Sequence, residues 1–292
     1  MRKEYSKKMA KTIKLLASDL DGTIIFNNQI TTKGLEAVKK LKRNNVDFAI
    51  CTGKTYAMTK EICDIIMPEY GIFGNGTQII NLKMGKEIIK NSLSNVQAKA
   101  CIKLAQKQNL HIHLYTENTM IAEKTMKYMA YRNSILYKNQ MQFKTVQSLE
   151  KYIEEQKPNI LKFVISGDKD LIHIKKEIEA NQDLTAIQIK KYGEYSDKIV
   201  GEDYQYLDIV PKNVTKYEAL KQLCEYLKIS LKETMAIGDN INDIDMIKHA
   251  GIGVAVGNSY EEVKKEAFYV TKNTVQTGAF AEAVDKFIRN EG

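Results

Sequence analysis

Short apolar runs alternate with amphipathic segments over the first 80 residues of this chain. The runs lie at 13–17, 46–51 and 70–73, and each ends in a polar or glycine-rich segment. The segments between them carry apolar residues at helical spacing, for example Leu35 and Val38. Because strand, helix and strand follow one another at short intervals, the pattern predicts an α/β fold with a Rossmann-like parallel sheet.

Two carboxylates, Asp19 and Asp21, follow directly on the first apolar run, and Gly22 breaks its pattern. In an open α/β sheet, the carboxyl ends of the strands line the crevice where ligands bind. Crowded acids repel each other unless a cation lies between them, and hard oxygen ligands select Mg²⁺ or a similar ion. An ordinary acidic turn, for which Asp-Gly is a common signal, is the alternative interpretation.

The second run ends at Thr52-Gly53-Lys54-Thr55, again before a predicted helix. A hydroxyl, a glycine that allows close approach, and free helix amides together suit a phosphate group. A P-loop is excluded, because Phe48 occupies the position where that motif requires its first glycine.

Two later segments carry the remaining charged candidates. Asp239 follows the apolar run 235–237 as Asp19 follows the first run, and Asp243 is either a metal ligand or a plain helix-start acid. Lys216 falls in the first turn of a predicted helix, where the helix dipole disfavours a cation unless an anion shares the site. This local misfit hints at function.

In residues 82–190, helical stretches alternate with strand-like runs. This change of pattern predicts a separate α+β module inserted into the first domain. These residues contain 18 Lys and Arg against 11 Asp and Glu, whereas the net charge of the whole chain is +8. We therefore expect a core domain at 1–81 and 191–292, in which residues 206–210 form a strand. The basic module at 82–190 is expected to attract anions.

Several other protein classes find little support in the sequence. No apolar run approaches the roughly 18 residues of a membrane span, and the N-terminal residues lack the apolar stretch of a signal peptide. The four cysteines show no regular spacing, which favours reduced thiols in a cytoplasmic protein. His111 and His113 alternate onto one face of a strand and could approach a metal, but without a third ligand nearby a packing role is favoured.

Four segments, taken in order, resemble the motifs of the haloacid dehalogenase (HAD) superfamily of phosphohydrolases, in particular its Cof-like branch. They are Asp19-Leu20-Asp21-Gly22-Thr23, Thr52-Gly53, Lys216 and Gly238-Asp239-Asn240-Ile241-Asn242-Asp243. Asn75-Gly76 and Gly257-Asn258 are also similar to that branch. The resemblance covers the chain from about Lys11 and implies a HAD-like core with a large α/β cap domain between the second and third motifs.

The resemblance also implies a role for each matching residue. Asp19 would be the nucleophile that forms an aspartyl-phosphate, and Asp21 the general acid and base. Mg²⁺ would be held by Asp19, Asp239 and the backbone carbonyl of Asp21, with Asp243 as ligand or anchor. Phosphate would be bound by Thr52, Gly53, Lys216 and Asn242. Many relatives have arginine where Lys54 stands, and lysine lacks the planar fork that grips a carboxylate or phosphate at two points.

The leading hypothesis is a cytoplasmic, Mg²⁺-dependent phosphatase of small phosphorylated metabolites such as sugar or cofactor-type phosphates. A phosphomutase or phosphotransferase using the same aspartyl-phosphate is the alternative within the enzyme class. A phospho-accepting signalling receiver is disfavoured, because Asp21 would speed hydrolysis. The net charge prompts a nucleic-acid-binding alternative, which the absence of Trp and of interleaved basic and aromatic repeats disfavours. No membrane partner is expected, and the oligomeric state stays open.

Overall fold

The computed structural model describes residues 13–27, 29–124, 141–168, 170–181, 183–189 and 204–288. The chain divides into two compact units. The first comprises Met1–Gly53, Glu61–Ile89 and Lys216–Gly292, and the second comprises Lys54–Lys60 and Lys90–Thr215. Each unit contains its own sheet and its own apolar core.

The elements of the described residues are numbered in chain order. The strands are β1 (Leu15–Ser18), β2 (Ile25–Phe26), β3 (Gln29–Ile30), β4 (Asp47–Cys51), β5 (Tyr70–Phe73), β6 (Gln78–Asn81), β7 (Lys86–Lys90), β8 (His111–Tyr115), β9 (Thr119–Ala122), β10 (Gln142–Thr145), β11 (Lys162–Gly167), β12 (Leu184–Ile189), β13 (Gln205–Pro211), β14 (Thr234–Gly238), β15 (Ile252–Ala255) and β16 (Tyr269–Val270). The α-helices are α1 (Thr32–Arg43), α2 (Tyr56–Ile66), α3 (Asn95–Lys107), α4 (Leu149–Gln156), α5 (Ile172–Asn181), α6 (Lys216–Leu227), α7 (Ile244–His249), α8 (Glu261–Glu266) and α9 (Ala279–Phe287).

The first unit is built on an eight-stranded sheet of order β16-β15-β14-β1-β4-β5-β6-β7. The six strands from β16 to β5 are parallel, and β6 runs antiparallel to β5. In the central strand, Leu16 lies between Met235 on one side and Phe48 on the other. The predicted α/β fold with a Rossmann-like parallel sheet is confirmed, and its central strands bring their carboxyl ends to one edge.

The apolar runs are explained by burial on both faces of this sheet. Every residue of β1 and β14 is buried, as is usual for parallel strands covered by helices on both sides. On one face, Leu220 and Leu223 of α6 and Met246 of α7 belong to the same apolar cluster as the strands. All four cysteines are buried and none forms a disulfide. Among the described residues, no helix is both long and apolar enough to cross a membrane.

The second unit is built on a six-stranded mixed sheet of order β10-β9-β8-β11-β13-β12. Its pairs are antiparallel except for β9 with β10. One face carries apolar residues such as Leu114, Phe163 and Leu207, which pack with buried residues of α3, α4 and α5. An α+β module is therefore present in the part of the chain where the changed pattern of helical and strand-like segments predicts one.

The boundaries of this module differ from those expected from the sequence. Strand β13, expected in the core domain, instead pairs antiparallel with β11 and β12, so the second unit extends to Thr215 rather than residue 190. At its start, β7 still belongs to the eight-stranded sheet, which extends the first unit beyond residue 81 to Ile89. The apolar pattern of a buried strand predicts that the strand is buried, but it does not predict which strands it pairs with.

Candidate active site

The site is built in the first unit, where β1 and its parallel neighbour β14 end. Asp19 follows β1 directly, and its backbone N–H donates to the carbonyl oxygen of Ile237 at 2.9 Å. Asp239 follows β14, so the parallel pairing brings these two distant carboxylates to the same edge of the sheet. Asp19 is buried, Asp239 is half-buried and Asp21 is exposed.

Gly22 allows the loop after β1 to approach Asp239 closely. Its φ of +79° is a left-handed conformation, and a Cβ at this position would lie 2.6 Å from Oδ2 of Asp239. The next residue, Thr23, donates from Oγ1 to Oδ1 of Asp239 at 2.9 Å. This contact gives Thr23, which follows Asp-Gly in the first motif, a role that the sequence alone does not indicate.

Lys216 lies at the beginning of α6 with its side chain 1% exposed. Its Nζ donates to Oδ1 of Asp19 at 2.7 Å and to Oδ1 of Asp243 at 2.6 Å. Burial by itself would lower the pKa of Lys216, but the charges of Asp19 and Asp243 outweigh it and raise the pKa. The unfavourable place of this cation in a first helical turn is therefore compensated by two carboxylates.

Asp243 is fully buried and uses both of its carboxylate oxygens within the protein. Oδ1 accepts the hydrogen bond from Lys216, and Oδ2 accepts from the backbone N–H groups of Asp239 at 3.0 Å and Asn240 at 2.9 Å. This carboxylate therefore fixes the backbone that carries Asp239.

The cluster holds more negative than positive charge. Carboxylate oxygens of Asp19, Asp239 and Asp243 lie within 4.8 Å of one another, and Lys216 is the cation bonded to two of them. Burial raises the pKa of Asp19 to about 7 against the lowering effect of Lys216, and Asp243 and Asp21 add to the rise. Burial and the charges of Asp19 and Asp243 likewise raise the pKa of Asp239. Crowded hard oxygens with uncompensated charge fit a divalent cation such as Mg²⁺.

Among the residues that the structure describes, the two histidines of β8 do not belong to a group of three or more potential metal ligands. Their rings lie 5.4 Å apart, and burial, followed by the charge of Lys124, lowers the pKa of His111 to about 4. Within the described ranges, the acidic cluster is the group of three or more potential metal ligands that the structure contains.

The phosphate-binding candidates Thr52 and Asn242 are linked through Asn75. The backbone N–H of Asn75 donates to the carbonyl oxygen of Thr52 at 3.0 Å. Nδ2 of Asn242 donates to Oδ1 of Asn75 at 2.9 Å. The side chain of Asn75 also lies 3.2 Å from where a Cβ on Gly53 would be. Asn75 belongs to the resemblance, but the sequence alone indicates no function for it.

Asn258 also belongs to the resemblance, and its side chain connects two loops at this edge of the sheet. Its Nδ2 donates to the carbonyl oxygen of Gly22 at 2.8 Å, while its Oδ1 accepts from the backbone N–H of Val275 at 2.8 Å. The signal for both asparagines was their position beside glycine after a strand. Of the predicted site residues, Asp19, Lys216, Asp239 and Asp243 are joined directly by hydrogen bonds, whereas Asn242 joins the Thr52 segment through Asn75.

Comparison with known proteins agrees with this arrangement. The profile of a family described as haloacid dehalogenase-like hydrolase matches residues 16–284. A Methanobrevibacter smithii protein named phosphoglycolate phosphatase is 27% identical, the match covering 94% of this chain and 99% of that protein. A Bacillus subtilis protein named 5-amino-6-(5-phospho-D-ribitylamino)uracil phosphatase is 24% identical over 91% of this chain and 92% of that protein.

Solved structures carry the same fold. A haloacid dehalogenase-like hydrolase from Bacteroides thetaiotaomicron matches with a TM-score of 0.77 and 25% identity, covering 94% of this chain and all of the other. A Bacillus subtilis structure of the same description matches with a TM-score of 0.80 and 22% identity, over 93% and 99% of the two chains. The family profile, the matching motifs and the fold agree, and the chain belongs to the haloacid dehalogenase-like hydrolase family.

Proposed function

We propose that the protein is a Mg²⁺-dependent phosphatase that hydrolyses small phosphorylated metabolites through an aspartyl-phosphate on Asp19. The observation that carries this proposal is the buried Asp19 carboxylate, fixed by Lys216 at 2.7 Å inside a cluster with excess negative charge. Such a carboxylate is oriented for attack and placed where a cation and a phosphate ester are both attracted. The names of the two curated relatives as phosphatases of small metabolites support the same reaction.

The donor set also suggests which residues would hold the ion. Asp19 and Asp239, with the backbone carbonyl of Asp21, supply hard oxygens at the sheet edge. Asp243 is fully buried with both oxygens engaged by Lys216 and two backbone N–H groups, so we assign it a positioning role rather than direct ligation. A bound Mg²⁺ would neutralise charge on the transferring phosphoryl group and favour the ionised form of Asp19.

The reaction then divides into two displacements. In the first, a carboxylate oxygen of Asp19 forms a bond to phosphorus, the ester P–O bond breaks, and Asp21 gives a proton to the leaving oxygen. In the second, Asp21 takes a proton from water as that water forms a bond to phosphorus and the bond to Asp19 breaks. The exposure of Asp21 suits an exchange of protons with both the leaving group and water.

Lys216 and the segment around Thr52 would stabilise the phosphoryl oxygens. Lys216 brings a positive charge that its two carboxylate partners hold in one place. Thr52 and Gly53 would add hydrogen-bond donors, and Asn242 would add its amide. These groups act by position and charge, which is how most phosphoryl-transfer sites accelerate the reaction.

The second unit would act as the cap that selects the substrate. The basic character of residues 82–190 favours anionic metabolites, including sugar phosphates and cofactor-type phosphates. The reduced, buried cysteines are consistent with action in the cytoplasm. We propose no nucleic-acid or membrane partner.

The test measures phosphate release from an aryl phosphate, and from a panel of phosphorylated metabolites, with Mg²⁺ and with a chelator. Asp19→Asn should reduce release by at least about 10³-fold, because it removes the nucleophile. Asp285→Asn is the matched control, since this carboxylate is 69% exposed and bonded only at the surface to Lys40. Release that persists in Asp19→Asn, or that is equally fast with the chelator, would contradict the proposal.

A further inference from the structure

In the segment after β5, Asn75 stands between two glycines at a position where glycine would suit the backbone conformation as well. Gly74, Asn75 and Gly76 have φ values of 59°, 60° and 111°, so three consecutive residues are left-handed. Asparagine tolerates this region better than most residues, yet glycine adopts it more freely. A third glycine would therefore serve the backbone equally well, and the reason for asparagine lies in its side chain.

That side chain is fully buried between two segments of the site. Its Oδ1 accepts from Nδ2 of Asn242 at 2.9 Å, and its amide lies 3.2 Å from the position of a Cβ on Gly53. Its own backbone N–H holds the carbonyl oxygen of Thr52 at 3.0 Å. Asn75 thus joins the loop after β4 to the turn after β14, which are far apart in the chain.

The bond to Asn242 has a chemical consequence. A carboxamide has donor and acceptor ends of nearly the same shape, so rotation by half a turn exchanges N–H groups for an oxygen. Because Oδ1 of Asn75 can only accept, it fixes Nδ2 of Asn242 in its direction. One N–H of Asn242 is used there, and the second N–H of the same nitrogen keeps a constant orientation.

We propose that Asn75 is a positioning residue for phosphate recognition, acting on Asn242 through its side chain and on Thr52 through its backbone. The inference rests on the proposed function, because it assigns the oriented donors to the phosphoryl group of the substrate. In this role Asn75 acts through the two residues that it positions. Its contribution is that the donors after β4 and after β14 are held in one arrangement before substrate binds.

The substitution Asn75→Gly separates the effect of the side chain on Asn242 from the effect of the backbone on Thr52. The variant retains the left-handed backbone and the N–H bond to Thr52, and it removes the side-chain carboxamide that orients Asn242. We expect kcat/KM to fall about 10-fold, with an equal fall for Asn242→Ala. The double variant Asn75→Gly/Asn242→Ala should fall no further than either single variant, because Asn75 acts through Asn242. A merely structural role would lower stability and would combine with Asn242→Ala multiplicatively.

Asn45→Gly is the matched control, since Asn45 is also left-handed, with a φ of 53°, but is exposed in the turn after α1. It should leave kcat/KM within about twofold of wild type. If Asn75→Gly does not fold, as judged by circular dichroism, Asn75→Ser replaces it, because serine is too short to reach Asn242.

The same cycle is measured a second time as affinity for inorganic phosphate in the presence of Mg²⁺, by calorimetry. Equal, non-additive losses of affinity support the inference even if no ester is hydrolysed, in which case the proposed function alone fails. Turnover and phosphate binding that are unchanged in Asn75→Gly, or losses that multiply in the double variant, would overturn the inference. A wild-type protein that neither turns over esters nor binds phosphate would overturn both proposals.

Discussion

Each unit of the protein buries a lysine, and the two lysines have different surroundings. Lys216 in the first unit is 2% exposed and bonds Asp19 and Asp243 at 2.7 and 2.6 Å. Lys162 in the second unit is 1% exposed and bonds Asp208 of the neighbouring strand β13 at 2.6 Å. Burial and bond length are nearly the same, so the difference lies in the balance of charge.

Among the contacts that the structure describes, Lys162 bonds one carboxylate, that of Asp208, whereas Lys216 shares its cluster with three carboxylates. A balanced buried pair satisfies itself and can be replaced by apolar groups of similar size. An unbalanced cluster is held at an electrostatic cost, which a bound cation would relieve. Excess negative charge at the edge of a sheet, which a buried ion pair alone does not provide, is therefore the property that we propose attracts a cation to the first unit.

The largest effect is expected when Lys216 is replaced. Lys216→Met should reduce phosphate release by at least about 10²-fold, because it removes the positive charge proposed to stabilise the phosphoryl oxygens. It should also lower the local unfolding free energy of β1 by about 3–5 kcal/mol, because it leaves buried carboxylates unpaired. Amide hydrogen exchange measures that energy. Lys221→Met, at a half-exposed position of the same helix, is the control and should change it by less than about 0.5 kcal/mol.

Removing the partner as well should not repair this defect. In Lys216→Met/Asp243→Leu, the backbone N–H groups of Asp239 and Asn240 lose their acceptor, at about 1–3 kcal/mol each. Recovery of wild-type stability by the double variant would show that the cluster is an ordinary ion pair.

The pair in the second unit should behave in the opposite way. Lys162→Met alone should lower the local unfolding free energy of β11 by about 3–5 kcal/mol, because Asp208 remains charged and buried. Lys162→Met/Asp208→Leu should return to within about 1 kcal/mol of wild type, because both charges are gone. Hydrogen exchange of the β11 amides measures both variants, and a double variant as unstable as the single one would contradict the contrast.

The sequence predicted which charged side chains of the first unit lie together better than it predicted the extent of the second unit. Asp19 and Asp239 could be placed together because parallel strands bring their carboxyl ends to one edge, whatever their separation in the chain. Lys216 could be noticed because a cation in a first helical turn breaks a local rule. These inferences require only the type and order of the strands and helices.

The missed features depend on tertiary pairing. β13 has the apolar pattern of a buried strand, and nothing in that pattern distinguishes the six-stranded sheet from the eight-stranded one. The link between Asn75 and Asn242 joins two loops through side chains, so no periodicity reports it. The buried pair of Lys162 and Asp208 also joins two strands, and each residue alone resembles a surface position of an alternating strand.

A smaller effect is expected at Glu282, a carboxylate of the first unit that is fully satisfied. Burial alone would raise its pKa, but hydrogen bonds from Tyr269, Lys272 and Asn273 lower the pKa to about 2. Glu282→Gln should therefore lower the unfolding free energy at pH 7 by about 1–2 kcal/mol.

The pH dependence of that loss follows from the lowered pKa. The stabilisation by Glu282 is present in full above its ordinary pKa of 4.5 and is lost as the pH falls towards 2. The difference between wild type and Glu282→Gln should shrink over this interval in urea unfolding. Glu36→Gln, at an exposed carboxylate, should differ little from wild type throughout. A difference that grows with acidity would contradict the assignment.

The excess charge of the first unit is tested most directly by calorimetric titration of Mg²⁺ into the metal-free protein. We expect wild type to bind the ion, Asp239→Asn to bind it at least about 100-fold more weakly, and the exposed control Asp285→Asn to match wild type. Lys162→Met/Asp208→Leu should also match wild type, because it leaves the three carboxylates of the acidic cluster unchanged. Absence of Mg²⁺ binding by wild type, or equal affinity in Asp239→Asn, would contradict the account.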